Sequence, residues 1–137
     1  MSYISLEEFK KMPEYNKFIE ENPDVGYLKI EAFTAYNAIP VSNVQIVITK
    51  PLGNDDVVIF KGTTNANGLI NNIELPAPKA EYLAKEGEAP PYTRYDMNAK
   101  RAGYDNNSKY NIKMFGDVRI IQYVKMIPSA GETNNAN

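Results

Sequence analysis

The sequence contains no cysteine and no histidine, and each absence excludes a class of chemistry. Without cysteine, the chain has no disulfide, no thiolate nucleophile and no Cys-based zinc or iron–sulfur site. Without histidine, it has no imidazole to act as a general base, a catalytic-triad member, a metal ligand or a pH switch near neutrality. Any catalysis would therefore have to use carboxylates, lysine, tyrosine or hydroxyl groups.

The chain also lacks an excess of positive charge and a long apolar run. It has 15 Lys and Arg against 17 Asp and Glu, a formal net charge of -2, so it lacks the basic surplus that neutralises phosphates and we expect no nucleic-acid partner. The N-terminus MSYISLEEFKK has neither a basic leader nor an apolar h-region, and no segment has the run of about 20 apolar residues that spans a membrane. We therefore expect a cytoplasmic protein with no membrane partner.

Length and composition indicate one soluble globular domain. A chain of 137 residues is long enough to bury a real core. Its 43% hydrophobic and 23% charged residues are typical of soluble globular proteins. Since disulfides are excluded, packing and hydrogen bonds must hold the fold.

The first 25 residues are predicted to form a helical arm. Ser5-Leu6-Glu7-Glu8 has the capping-box pattern that begins a helix, and Pro13 can occupy the first turn of a second helix, which Asn22-Pro23 ends. The apolar stripe either covers an end or an open edge of its own domain, which we favour, or docks on a partner. The stripe consists of Leu6, Phe9, Met12, Tyr15, Phe18 and Ile19.

Residues 26–128 are predicted to form a seven-stranded antiparallel sandwich. Alternating apolar and polar residues and frequent turn signals mark short β-strands with one buried face. Because Pro40 cannot donate to a central ladder, the second strand should cross to another sheet or lie at an edge. The tail, residues 129–137, is polar and is expected to be disordered. The predicted strands are GYLKIEAFTA, NVQIVITK, DDVVIFKGTT, LINNIEL, RYDMNAKRAG, KYNIKMF and DVRIIQYVKMI.

The stretch TTNANGLINNIELPAP contains the turn dipeptide Asn67-Gly68. This dipeptide favours a β-hairpin turn whose central residues have positive φ, which glycine adopts freely and asparagine tolerates. Asn65 and Asn67 could instead bind a ligand, but most turns of this kind bind nothing. We therefore interpret the stretch as the turn of a hairpin.

Acidic residues give no clear catalytic or metal site. No D-x-D-x-D-G pattern surrounds Asp55-Asp56, so a solvated turn is favoured over a calcium site. Glu81, Glu86 and Glu88 lie in a long Pro-rich loop, where nothing fixes the separation that glycoside hydrolysis requires. We predict no catalytic residue, no metal and no cofactor.

Lys29, Glu74 and Asn111 invite comparison with domains that form an intramolecular Lys–Asn amide cross-link. Such a bond requires a buried carboxylate with a raised pKa. The strand alternation that buries Leu28 and Ile30 turns Lys29 toward solvent, which argues against the cross-link.

Tyrosine supplies the binding candidates. The chain has 10 tyrosines, and an aromatic ring with a hydroxyl suits carbohydrate or protein surfaces. Gly103-Tyr104 is instead typical of a tyrosine corner, in which the hydroxyl bonds to backbone at the edge of a sandwich. The binding candidates are Tyr36, Asn37, Tyr92, Arg94 and Tyr95.

The order of these motifs resembles the carboxypeptidase-regulatory-like, transthyretin-like domain of Firmicutes, in particular the accessory domain of clostridial spore cortex-lytic enzymes. The resemblance covers residues 26–128 and implies a prealbumin-like sandwich that acts as a structural or binding module without peptidase activity. Transthyretin-related hydrolases place histidines in their site, and this chain has none. The matching pieces are Ala38-Ile39-Pro40-Val41, Leu75-Pro76-Ala77-Pro78, Pro91-Tyr92 to Tyr95-Asp96, Gly103-Tyr104 and Met126-Ile127-Pro128.

Two hypotheses follow. The first, which we favour, is a non-catalytic structural or protein-binding module of a spore, cell-wall or phage-like assembly, using loops, edge strands or the arm. Homo-oligomers built by arm exchange or edge pairing are compatible with it. The second is a module that binds peptidoglycan or another carbohydrate, or accompanies a peptidoglycan-hydrolysing enzyme, through Tyr36, Tyr92, Tyr95 and loop acids. Exposed rings lining a groove would support the second, and buried rings would remove it.

Overall fold

The computed structural model of the chain describes residues 2–34, 39–80, 90–105 and 108–129. These residues form eight strands and two helices. No helix in these ranges is long and apolar enough to cross a membrane. The elements are β1 Ser2–Ile4, α1 Leu6–Phe9, α2 Pro13–Glu21, β2 Asp24–Thr34, β3 Gln45–Leu52, β4 Asp55–Thr63, β5 Leu69–Ala77, β6 Thr93–Lys100, β7 Ser108–Met114 and β8 Arg119–Met126.

The strands form two sheets that pack as a β-sandwich. In the described part of the chain, one sheet has five strands in the order β1-β4-β3-β6-β7, and the other has three in the order β5-β2-β8. All seven predicted strands are present, which confirms the all-β sandwich. The eighth, β1, was missed because three residues are too short to show an alternating pattern.

Strand direction corrects the purely antiparallel prediction. β1 pairs in parallel with β4, and β2 pairs in parallel with β8 over eight registered residue pairs. The other pairings within the described residues are antiparallel. Sequence patterns cannot distinguish the two directions here, because each strand buries only one face in either case.

The connection between β2 and β3 crosses from one sheet to the other. Of the two predicted alternatives, a crossing and an edge position, the crossing is the one observed. β2 is the central strand of the three-stranded sheet, and β3 is the central strand of the five-stranded sheet. Pro40 lies outside both strands and forms only an isolated bridge with Phe33, so its missing N–H interrupts no ladder.

The core lies between the sheets and includes two residues of the N-terminal helices. Phe9 and Phe18 belong to the same buried cluster as Leu28, Ile46 and Met97. The Phe9 ring packs on Tyr15 and Phe18, with centroid distances of 5.3 Å and 5.7 Å. The helices therefore share the core of the sandwich.

Local hydrogen bonds explain where the helices begin and end. The Ser5 hydroxyl caps α1 by accepting a bond of 3.1 Å from the Glu8 N–H, and Pro13 opens α2. Asn22 ends α2: its amide donates to the Phe18 carbonyl at 2.9 Å, and its side-chain oxygen accepts from the Thr93 hydroxyl. The arm therefore packs on its own domain, which was the favoured alternative.

The boundaries drawn at residues 25 and 128 stay predictions. The first sandwich strand, β2, already begins at Asp24. The predicted disordered tail falls almost entirely on residues 130–137, which lie outside the described residues.

The Asn67-Gly68 turn corrects the hairpin prediction. β4 and β5 flank this turn but belong to different sheets. The Gly68 N–H donates to the Asn65 carbonyl at 2.9 Å, while the Asn65 side chain accepts from the N–H groups of Asn67 and Leu69. Only Gly68 has a positive φ in this turn, at 75°. The turn therefore links the two sheets, and the side chain of Asn65 holds its backbone.

Candidate functional site

The five predicted binding residues do not form one site. Tyr92 and Arg94 are exposed at the start of β6, and both line a cleft beside the N-terminal helices. Tyr95 is fully buried. Tyr36 and Asn37 lie outside the described residues.

Tyr95 belongs to the core and not to a binding surface. Its hydroxyl donates a hydrogen bond of 2.7 Å to the Pro76 carbonyl, and burial raises the pKa of its hydroxyl above the ordinary value. With no exposed surface, its ring offers no face to a ligand. The alternation along β6 already contained this signal, since Tyr95 shares its side of the strand with buried Met97 and Ala99.

The expected corner at Tyr104 is built on backbone bonds. Tyr104 forms an isolated bridge with Pro128, and the neighbouring bonds join Asp105 to Ile127 and Ser129 to Gly103. Among the described residues, the tyrosine hydroxyl that bonds to backbone across the sandwich is that of Tyr95. Arg101 lies over the Tyr104 ring, 5.7 Å from its centroid.

The cleft lies between the arm and one end of the five-stranded sheet, with a volume of about 950 Å³. Phe9, Met12 and Phe18 line it from the arm, and Leu52 lines it from the β3–β4 turn. Lys50 and Arg94 are among its polar residues. The volume falls within the range of small-molecule and peptide pockets.

Three cations occupy the neighbouring strands β3, β6 and β7, and two of them, Lys50 and Arg94, line this cleft. The Lys50 ammonium on β3 donates to the Arg94 carbonyl on β6 at 2.8 Å, and Arg94 lies opposite Lys113 of β7. The Lys113 ammonium lies 5.0 Å from the centroid of the Tyr92 ring. We call Lys50, Arg94 and Lys113 the cation cluster.

Sequence reasoning found Arg94 but missed Lys50 and Lys113. The three are far apart in the chain and meet only because β3, β6 and β7 are neighbours in the sheet. No local sequence pattern indicates the order of these strands in the sheet. Desolvation by burial, followed by the charge of Arg94, lowers the pKa of Lys50 below its ordinary value.

The outer edge of β8, which no strand in the described part of the chain covers and which we call its free edge, is a second candidate surface. β8 is the last strand of its sheet, and alternate residues on it are exposed. Ile121 and Tyr123 on this strand are 46% and 56% exposed. Phe33 of β2 packs edge-on against Tyr123 at 6.3 Å and extends this apolar patch.

Among the described residues, no strand pairs with the outer side of the β8 backbone. The Tyr27 N–H donates to the Val118 carbonyl at 2.9 Å, and residues of a parallel strand alternately face one neighbour and the other. The ladder therefore directs the N–H and C=O groups of 119, 121, 123 and 125 away from β2. One of these groups, the Tyr123 carbonyl, accepts from the Gln122 amide at 2.9 Å.

The described residues hold no buried carboxylate, since their buried polar side chains are Asn22, Thr49, Thr64 and Thr93. Glu74 is exposed and bonds to Asn72. Asn111 is exposed on the sheet that does not contain Lys29. The arrangement needed for a Lys–Asn amide is therefore absent from this part of the chain. No group of three or more acidic side chains in these ranges is placed to hold a metal ion.

Comparison with known proteins identifies the fold but not a family. No family model matches the sequence, and no curated protein matches it. The shaft pilin SpaA of Lactobacillus rhamnosus GG (D295N mutant) is similar, with a TM-score of 0.56 and 18% identity over 77% of this chain and 49% of the pilin. The minor pilin GBS52 of Streptococcus agalactiae is similar, with a TM-score of 0.54 and 9% identity over 77% and 45%.

An enzyme shares the fold as well. The 5-hydroxyisourate hydrolase of Klebsiella pneumoniae matches with a TM-score of 0.50 and 13% identity, over 77% of this chain and 92% of the hydrolase. This chain spans about half the length of the pilin structures. Identities this low establish a prealbumin-like sandwich and nothing about activity.

Proposed function

We propose that this chain is a non-catalytic β-sandwich module that binds another protein by adding a strand of that protein to the free edge of β8. The proposal rests on one observation: β8 has both outward-facing backbone groups and the exposed side chains of Ile121 and Tyr123. Edge strands of this kind accept an extended segment through main-chain hydrogen bonds, and the flanking side chains set its specificity.

Charge defines the partner segment. β8 carries Arg119 and Lys125 on its exposed side and has no acidic residue. Pairing of two β8 strands from two copies would bring four cations together, which is unfavourable across strands. The partner segment is therefore an extended strand with acidic residues that face Arg119 and Lys125.

The absence of catalysis is proposed on chemical grounds. The sequence supplies no histidine or cysteine, and the fold neighbours include both pilins and a hydrolase. Carbohydrate binding has less support: Tyr92 is exposed and lines the cleft, but Lys113 lies over its ring and Tyr95 is buried. Membership of the carboxypeptidase-regulatory-like family and a place in a spore or cell-wall assembly stay predictions from the sequence motifs.

The test is a fluorescence-anisotropy titration with a labelled peptide of alternating Glu and Val residues, beside one of alternating Lys and Val. The acidic peptide should bind, and the double variant Arg119→Glu/Lys125→Glu should bind it about tenfold or more weakly. The matched control Lys61→Glu/Lys100→Glu changes the same charge on exposed residues of the other sheet and should leave the affinity unchanged.

Two outcomes contradict the proposal. One is equal loss of binding in both double variants, which would reflect total charge alone. The other is a dimer in light scattering that the Arg119→Glu/Lys125→Glu variant changes, because a second copy would then occupy the edge.

A further inference from the structure

A pocket of about 300 Å³ lies on the outer face of the three-stranded sheet, beside the free edge of β8. Glu31 and Phe33 of β2 form part of its wall, together with Tyr123 of β8, which is in register with Glu31. Pro40 and Leu69 add further apolar groups to the lining. The volume is at the low end of the range for ligand pockets, which suits a single long side chain.

Glu31 is a half-buried carboxylate without a partner in the described part of the chain. It is the one charged residue among the described residues that line the pocket, and its carboxylate forms no hydrogen bond or ion pair with any of them. Lys29 and Lys125 belong to the same two strands, but neither lies within ion-pair distance of Glu31. The pocket therefore places a partly desolvated negative charge beside apolar groups, and a cation entering it would gain that charge as a partner.

The two aromatic rings of the pocket also suit a cation. Phe33 packs edge-on against Tyr123 with centroids 6.3 Å apart, and no cation of the described residues lies over either ring. At the other end of the same strand pair, Arg119 of β8 lies over the ring of Tyr27 of β2, 5.3 Å from its centroid. A positive group over an aromatic face is favourable, so the pair β2–β8 holds one such contact and has room for another.

We infer that the strand bound at β8 carries an arginine, which crosses the Tyr123 ring and pairs with Glu31. The inference rests on the proposed function, because the arginine belongs to the added strand. That strand would lie about 10 Å from β2, two strand spacings away, which a long side chain placed beside Tyr123 can bridge. Arginine fits better than lysine, since its planar guanidinium stacks on an aromatic ring and binds a carboxylate through two parallel hydrogen bonds.

The position of the arginine defines a pattern for the partner segment. Side chains on one face of a strand recur every second residue, and Tyr123 lies between Arg119 and Lys125 on the exposed side of β8. The acidic residue that faces Lys125 is therefore the next residue on the same face as the arginine. The acidic residue that faces Arg119 is the second one in the opposite direction.

The experiment is a fluorescence-anisotropy titration of the full chain with three labelled peptides. The first alternates Glu and Val, the second replaces its central Glu with Arg, and the third has citrulline there, which keeps the shape of arginine without its charge. The arginine peptide should bind about fivefold or more tightly than the citrulline peptide, because citrulline loses both the ion pair with Glu31 and the positive charge over the Tyr123 ring.

Variants locate the contact. Glu31→Gln, which keeps the size of the side chain, should reduce the ratio of the two affinities to about one, because the carboxylate is lost. Tyr123→Leu keeps an apolar side chain without the aromatic ring and should lower the ratio in part. Glu74→Gln is the matched control: it removes an exposed carboxylate from β5 of the same sheet and should leave the ratio unchanged.

The outcomes separate this inference from the proposed function. If none of the three peptides bound the folded protein, strand addition at β8 would be wrong, and the inference with it. If the peptides bound but arginine and citrulline gave equal affinities, the inference alone would be overturned. The same holds if the preference for arginine survived in Glu31→Gln or was lost equally in Glu74→Gln.

Discussion

The Tyr95 hydroxyl donates a hydrogen bond of 2.7 Å to the backbone carbonyl of Pro76, and this bond joins the two sheets of the sandwich. Tyr95 lies on β6 of the five-stranded sheet, and Pro76 lies on β5 of the three-stranded sheet. Burial raises the pKa of the Tyr95 hydroxyl, which keeps it protonated and able to donate.

The first prediction concerns Tyr95→Phe. At pH 7 the variant should be less stable by about 1 kcal/mol, because the Pro76 carbonyl loses its partner. The folded-state pKa of Tyr95 is raised, so its contribution is complete below the unfolded pKa of about 10 and is lost as the pH rises above it. Urea unfolding from pH 7 to about pH 11 should therefore show a steeper decline for the wild type. Parallel pH curves would contradict this account.

The second prediction is that the N-terminal arm is needed for stability. Phe9 is 1% exposed in the common core, so Phe9→Ala should lower the free energy of unfolding by about 3–5 kcal/mol. Ile19 of α2 is 36% exposed, so Ile19→Ala should lower the free energy of unfolding by about 1 kcal/mol or less. Urea denaturation measures both. Equal, small effects would mean that the arm is only loosely attached to the sandwich.

The third prediction separates backbone strain from steric contact at two glycines. Gly68 has φ of 75°, and a Cβ added there would clash with the Ala32 carbonyl oxygen. Gly53 has φ of 62° and open space around it. Gly53→Ala should cost about 1 kcal/mol, and Gly68→Ala clearly more, because clash adds to conformational strain. Thermal or urea unfolding measures the stability that each variant loses. Similar losses in the two variants would contradict a steric clash at Gly68.

The fourth prediction concerns a buried hydroxyl at the end of β4. Thr64 donates to the Val41 carbonyl at 2.8 Å and accepts from the Val44 N–H at 3.0 Å. Thr64→Val should lower stability by about 1–3 kcal/mol, because it leaves both backbone groups unpaired. Thr63→Val makes the same change at an exposed neighbour and should have little effect. If both variants unfolded at the wild-type urea concentration, the hydroxyl would be dispensable.

Strand positions could be predicted because alternation is local. Leu28, Ile30 and Ala32 are all buried, as their spacing indicated. Strand neighbours could not be predicted, because the parallel pairing of β2 with β8 joins residues about ninety positions apart. The Asn65–Gly68 turn was misassigned for the same reason: its local chemistry is that of a turn, but only the sheets determine which strands it joins.

The same distinction between local sequence patterns and strand neighbours applies to the candidate site. Tyr92 and Arg94 could be proposed from their residue types. Tyr95 was predicted to join them, although Met97 and Ala99, which share its side of β6, are buried. Lys50 and Lys113 join the cluster only through the order of β3, β6 and β7. The exposed edge of β8 required the sheet to be known, since Ile121 and Tyr123 are typical of any strand in sequence.

The central claim is that β8 accepts an acidic strand, and an NMR titration of ¹⁵N-labelled full-length protein with the Glu/Val peptide tests it most directly. The account predicts amide shifts concentrated at residues 119–125 and slowed hydrogen exchange at the outward-facing Ile121 and Tyr123 N–H groups, which gain acceptors. Shifts centred on β1, β5 or β7, which are also edge strands, or no shifts at saturating peptide, would contradict it.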